Sequence, residues 1–198
     1  MSETYIEKFN INEELLNTMM EEQTKTWNFL QMSSTEEKLK SYADNFSMVN
    51  KIQTAPELLY VIDALEKETL SELDDLFFFK EGYLPLAENP NNLGGGRIIF
   101  EVSKSTDLSE FFFKSLCLCF SEVFDGLTGV AYNDKGKDHR VVLWFNDIED
   151  YDMILSGWKE LNNCPFGNFN LRIHRKYSQF FTKGYNVKKS FQNKRHHY

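Results

Sequence analysis

The chain has 198 residues, 41% of them hydrophobic, with 18 Phe, 9 Tyr and a net charge of −8. That length and apolar content suit one globular domain with a sizeable core, and no internal repeat or low-complexity tract is visible. The three cysteines, Cys117, Cys119 and Cys164, form no CxxC and no His/Cys ligand spacing, which excludes a disulfide framework and a structural zinc site.

Residues 1–25 read as an N-terminal extension, partly helical or flexible, and 26–198 as a single domain. Within the extension a helix is expected over Glu13–Gln23, with Asn12 as its N-cap. Strand-like runs follow at Thr26–Met32 and Asn45–Ile52. Thr54-Ala-Pro-Glu57 is a capping box that opens a helix with the apolar stripe Leu58, Leu59, Val61, Ile62, Leu65. After a strand at Leu76–Lys80 comes a loop, Glu81–Gly96, with two of the four prolines and three consecutive glycines. A strand at Arg97–Val102 leads to a second capping box, Asp107-Leu-Ser-Glu110, and a helix through Phe124. Cys117 and Cys119 fall in that apolar run and read as core residues.

Two strand-like runs, Gly129–Asn133 and Arg140–Phe145, then flank a short loop with Lys135 and Lys137. Such a hairpin points several fixed cations at one place and ends on an aromatic, Trp144. Clustered cations beside an aromatic suit a phosphate chain and its attached base. A third capping box, Asn146-Asp-Ile-Glu149, precedes a helix with Met153, Ile154, Leu155 and Trp158. A strand at Phe169–Arg175 and a loop at Gln179–Asn186 complete the order. Strands outnumber helices about two to one, and no Gly-rich turn opens a helix in a βαβ unit. The expected class is α+β, an antiparallel sheet with helices on one face.

Charge is uneven along the chain. After Glu160 no Asp or Glu follows, while eight Lys and Arg do, leaving 14 basic against 30 acidic residues before it. An acidic body with a basic C-terminal segment points to an anionic partner bound locally. The N-terminus is polar and the apolar runs are short, so a cytosolic or nuclear location is expected, with no membrane partner. No nucleophile–base pair is present, and His139, His174, His196 and His197 match no ligand motif. Asp147, Glu149, Asp150 and Asp152 read as carboxylates at a helix start. The expectation is a binding protein, with no catalytic residues, metal or cofactor.

The order and spacing of these features over about residues 42–161 resemble the mRNA cap-binding translation initiation factor 4E family. The matching pieces are Phe79-Lys-Glu-Gly82 with Pro85, Gly95-Gly-Arg97, the Asp107–Asp125 helix, the Gly129–Trp144 hairpin and the Asp147–Leu161 helix. The resemblance implies a curved antiparallel β-sheet with three helices on its convex face. The concave face would bind the 7-methylguanosine cap of mRNA, and the convex back a helical scaffold or repressor of the initiation factor 4G type.

The family sandwiches the cationic base between two aromatics, a geometry that favours it over neutral guanine. Tyr42 matches the first stacking position. The second falls on Ala87, where the family carries Trp. Glu88 matches the carboxylate that accepts from guanine N1–H and the N2 amine. Trp144 matches the tryptophan that touches the N7 methyl. Arg97, Lys135, Lys137 and Arg140 match the basic phosphate positions, with Lys183 as a C-terminal counterpart. On the partner face, Leu59 stands where the family has Trp, Lys114 where it has Glu and Ser121 where it has Gly. Phe112, Phe113 and Cys117 are the residues expected to form an apolar groove for a partner helix. The resemblance implies cap binding in translation initiation or its regulation. The alternative is a scaffold or a nucleotide- or RNA-binding protein that keeps the fold without methyl-cap selectivity.

Overall fold

Period-two alternation of large side chains turns each predicted run into a strand, with ends within two residues of expectation. The computed structural model describes residues 11, 13–21, 25–32, 42–68, 75–103, 107–164 and 169–174. The strands are β1 (Trp27–Met32), β2 (Phe46–Ile52), β3 (Asp75–Lys80), β4 (Gly96–Ser103), β5 (Leu127–Asp134), β6 (Asp138–Phe145) and β7 (Phe169–Ile173). They form one curved, open sheet in the order β2-β1-β3-β5-β6-β4-β7, every neighbour antiparallel. The α+β class is therefore as expected.

Four helices occur among the described residues, the three implied over the sheet and the one expected over Glu13–Gln23: α1 (Glu13–Met20), α2 (Ala55–Leu65), α3 (Ser109–Phe120) and α4 (Tyr151–Leu161). Only the first of the three expected capping boxes forms. Glu57 Oε2 accepts from the backbone of Gln53 at 2.7 Å and of Thr54 at 3.0 Å, satisfying donors at the start of α2. At α3, Asp107 Oδ1 instead accepts from Ser109 N at 2.8 Å, an Asx turn ahead of the helix. At the third site Asp147 Oδ1 accepts from Glu149 N and caps a 3-10 turn, Ile148–Asp150, so α4 begins only at Tyr151. Asp and Asn satisfy a backbone donor two residues on as readily as three, and that competition sets these starts.

One face of the sheet packs on the helices. Trp27, Phe78, Tyr132, Leu143 and Phe145 point there and share a core with Leu58, Phe112, Leu116, Phe120, Ile154 and Trp158. Phe112 and Tyr132 lie 5.7 Å apart between α3 and the sheet. A polar crossing between α3 and α4 is satisfied: Trp158 Nε1 donates to Ser115 Oγ at 2.7 Å. Ile11, Leu15 and Met19 of the N-terminal segment join the same core, and α1 packs against α3.

The opposite face carries no helix among the described residues. It holds a smaller apolar cluster of Leu30, Phe77, Phe79, Ile99, Ala131, Val142 and Trp144, flanked by Met32, Phe46 and Tyr83.

Candidate functional site

Strand register builds this open face in rows. Phe79 pairs with Gly129, Gly129 with Trp144, Trp144 with Arg97, and Arg97 with Arg172. A Cβ at Gly129 would lie 2.6 Å from the Phe79 ring. Glycine there lets Phe79 lie across β5 and meet the Trp144 ring edge-on, with centroids 5.6 Å apart. Trp144 is buried: the Arg97 guanidinium sits over its ring at 5.1 Å and the His174 ring lies 4.8 Å away. Trp144 Nε1 has no hydrogen-bond partner among the described residues.

The loop between β3 and β4 is organised rather than loose. Asn92, fully buried, donates from Nδ2 to Leu84 O at 2.7 Å and to Leu86 O at 2.8 Å. Asn89 Oδ1 accepts from Asn91 N, starting a 3-10 turn at Pro90–Asn92, and Asn91 Nδ2 donates to Gly82 O at 2.7 Å. The far end is pressed onto β6, where a Cβ at Gly95 would fall 1.9 Å from Phe145 O. Ala87 and Glu88 ride in the turn so held, Ala87 half-buried and Glu88 exposed.

His174 closes the arrangement. Its Nδ1 lies 3.2 Å from Asn92 O; a carbonyl only accepts, so Nδ1 carries the proton. Burial holds the His174 pKa below the ordinary histidine value, and the Arg97 charge lowers it too; the Asn92 contact and the Glu88 carboxylate oppose them. A pKa lower in the folded than in the unfolded chain favours folding above the unfolded value. This contribution is complete above about pH 6.5 and disappears as pH falls from there toward the folded value. We expect the Tm to fall between pH 7.5 and 5.5 more steeply in the native protein than in His174→Gln. Equal slopes would remove His174 as the source.

The cations behave differently from their reading in the sequence. Lys135 Nζ is held by Asp75 Oδ2 at 2.8 Å, while Asp75 Oδ1 accepts from Asp134 N at 3.0 Å, so one carboxylate fixes the hairpin tip. Arg140 is ion-paired to Glu101, its register partner on β4. Lys137 is exposed at the tip. Arg140 stands four residues from Trp144 on β6, about 13 Å along the strand on the same face.

The structure thus brings together Glu88, Arg97 and Trp144 at one end of the open face and Lys135, Lys137 and Arg140 at the other. Tyr42 lies in a 3-10 turn, Tyr42–Asn45, that enters β2; its side chain and Lys183 lie outside the described residues. On the helical side, Leu59 is half-buried, whereas Phe112, Phe113 and Cys117 are buried and open no groove. The reason is that α3 is enclosed on its outward side as well as against the sheet. Asn92, Phe79 and His174 were not singled out as site residues. The Asn-Pro-Asn-Asn run was the one visible sign of a side-chain-stapled loop.

A family model described as Eukaryotic initiation factor 4E matches residues 22–195. Eukaryotic translation initiation factor 4E type 1B of Mus musculus is 29% identical over 119 residues, 56% of this chain and 49% of that protein. The chain therefore matches about half the length of this curated relative. Among solved structures, Ascaris suum eIF4E-3 with an m2,2,7G cap has a TM-score of 0.69 at 22% identity, covering 80% of this chain and 93% of that one. Caenorhabditis elegans eIF4E-3 with the 4E-binding protein Mextli and a cap analog has a TM-score of 0.64 at 23% identity, covering 77% and 91%. At these identities the structural likeness establishes the fold. No helix among the described residues is long and apolar enough to cross a membrane.

Proposed function

The chain belongs to the eukaryotic initiation factor 4E family, and from that premise we propose that its open sheet face binds the 7-methylguanosine 5′ cap of mRNA in translation initiation or its regulation. The observation that carries this reading is the grouping of Trp144, Arg97 and His174 beside the Asn92-stapled loop that presents Glu88. Solved relatives with this fold hold an m2,2,7G cap in one case and a cap analog in another. Glu88 reads the guanine edge, Trp144 lies at the N7 methyl, Tyr42 stacks on the base, and Arg97, Lys137, Arg140 and Lys135 face the phosphates, with Lys183 contributing from the C-terminal segment. The protein binds without catalysis and acts in the cytosol or nucleus. A helical protein of the initiation factor 4G type is its partner on the helical side.

The test is calorimetric titration with 7-methyl-GTP and, separately, GTP. A methyl preference of tenfold or more, about 1.4 kcal/mol, supports the reading. Equal binding supports the second reading, a nucleotide- or RNA-binding protein without methyl selectivity. Ala87 favours that second reading, because a methyl group cannot form the other side of a stack, and a lost stacking partner costs about 1–3 kcal/mol per base.

Because Lys135 and Arg140 already hold carboxylates, an incoming phosphate has to displace them. Asp75→Asn keeps an acceptor for Asp134 N but releases the Lys135 charge. It should tighten triphosphate binding by roughly three- to tenfold at low salt, with a steeper salt dependence. Arg140→Ala should weaken the same binding. Unchanged affinity in both variants would remove the hairpin from the phosphate site.

A further inference from the structure

We infer that α1 is an intramolecular occupant of a helix-binding groove on the outer side of α3, and that an amphipathic partner helix of the same apolar spacing binds by taking its place. Leu15, Leu16 and Met19 of α1, at i, i+1 and i+4, make one apolar stripe, and all three are buried, with Ile11 also buried ahead of the helix. This is the spacing of a helix laid into a groove. Eight residues are too few for an isolated helix to persist in water, so the surface beneath holds α1 in shape.

That surface is the outward side of α3. By helical spacing Lys114, Cys117, Leu118 and Ser121 point away from the sheet, and all four are nonetheless buried. Burying Lys114, whose amine is held among the described residues by Glu110 of its own helix at 2.7 Å, costs desolvation and weakens the cover. The fit is also incomplete. An open cleft of about 440 Å³ runs along the edge of α1, lined by Glu14, Leu15, Leu118, Phe124 and Leu161 among others. A partner helix with larger side chains fills this cleft and gains dispersion contacts that α1 does not make. Beside α3, α2 presents the half-buried Leu59 and Tyr60, which is 73% exposed, giving a longer helix further purchase. This inference rests on the helical-side partner proposed above and not on the nucleotide reading, and its test uses no nucleotide.

Two cysteines on α3 report on the cover. Cys117 points outward and Cys119 toward the sheet, and both are 1% exposed. Burial pushes the Cys117 thiol up to about 12 and Cys119 well above its ordinary value, so each alkylates only when uncovered. The full chain is treated with iodoacetamide and labelling followed at each cysteine by mass spectrometry. If α1 lifts on its own, Cys117 labels at least about tenfold faster than Cys119. Leu15→Ala with Leu16→Ala should speed Cys117 further and leave Cys119 unchanged, and a synthetic peptide of residues 9–23 should restore protection of Cys117. Labelling of the two cysteines in step in the native chain, or no protection by the peptide in the variant, would overturn the proposal. Should the variant fail to fold, the native ratio decides alone.

Discussion

Asn92→Ala is expected to unfold the protein at markedly lower denaturant, with a loss of about 2–4 kcal/mol. Its amide donates to two loop carbonyls, Leu84 O and Leu86 O, and it sits with no solvent exposure. Truncation removes one of two donors to each carbonyl, leaving Leu86 N on Leu84 O and Asn89 N on Leu86 O, and opens a void where the amide was. The cost then spreads into binding, because Ala87 and Glu88 are carried between Leu86 and Asn89. Nucleotide affinity should drop by more than about tenfold, in keeping with a site built on a positioned loop. Asn91→Ala is the comparison. It removes one hydrogen bond, to Gly82 O, from an exposed side chain and should cost about 1 kcal/mol or less. Chemical denaturation of the two variants side by side checks the argument. Equal midpoints would show that the loop does not depend on Asn92.

Glu88→Gln carries the second large effect. Under the cap reading, the carboxylate accepts from guanine N1–H and from the exocyclic amine together. An amide keeps one acceptor and turns a donor toward the other hydrogen. A loss of about 2–3 kcal/mol is expected, roughly 30- to 150-fold in Kd. The diagnostic comparison is 7-methyl-inosine triphosphate, which lacks the amine. The native protein should discriminate strongly between the guanosine and inosine forms, and Glu88→Gln should bind both alike. Undiminished discrimination in the variant would place base recognition elsewhere on the face.

Much of the fold was legible because strands are written in local pattern. In β3, Leu76 and Phe78 alternate with Phe77 and Phe79, and that alternation already assigns side chains to two faces. The β5–β6 hairpin was readable for the same reason. The state of its charges was not. Lys135 meets Asp75 sixty residues away and Arg140 meets Glu101 thirty-nine away. Those pairings follow from the register of β3 on β5 and of β4 on β6, which no local window contains. His174 illustrates a different gap. A search for ligand spacing sets aside a lone histidine, yet strand order carries this one from the far end of β7 to Trp144 and Asn92. The helix starts were misjudged at Asp107 and Asp147 because the capping alternatives there differ by a single residue of reach.

The hairpin's built-in counterions also bear on how long a ligand stays. Lys135 and Arg140 carry their own carboxylates, Asp75 and Glu101, on the same face where a triphosphate would lie. When phosphate takes those cations, the displaced carboxylates remain tethered a few ångströms away and compete for them throughout the bound state. They act as an internal competitor at fixed high effective concentration, which shortens residence more than it slows arrival. A site of this kind samples its ligand and lets go quickly, and stopped-flow dissociation that slows in Asp75→Asn would be its kinetic signature.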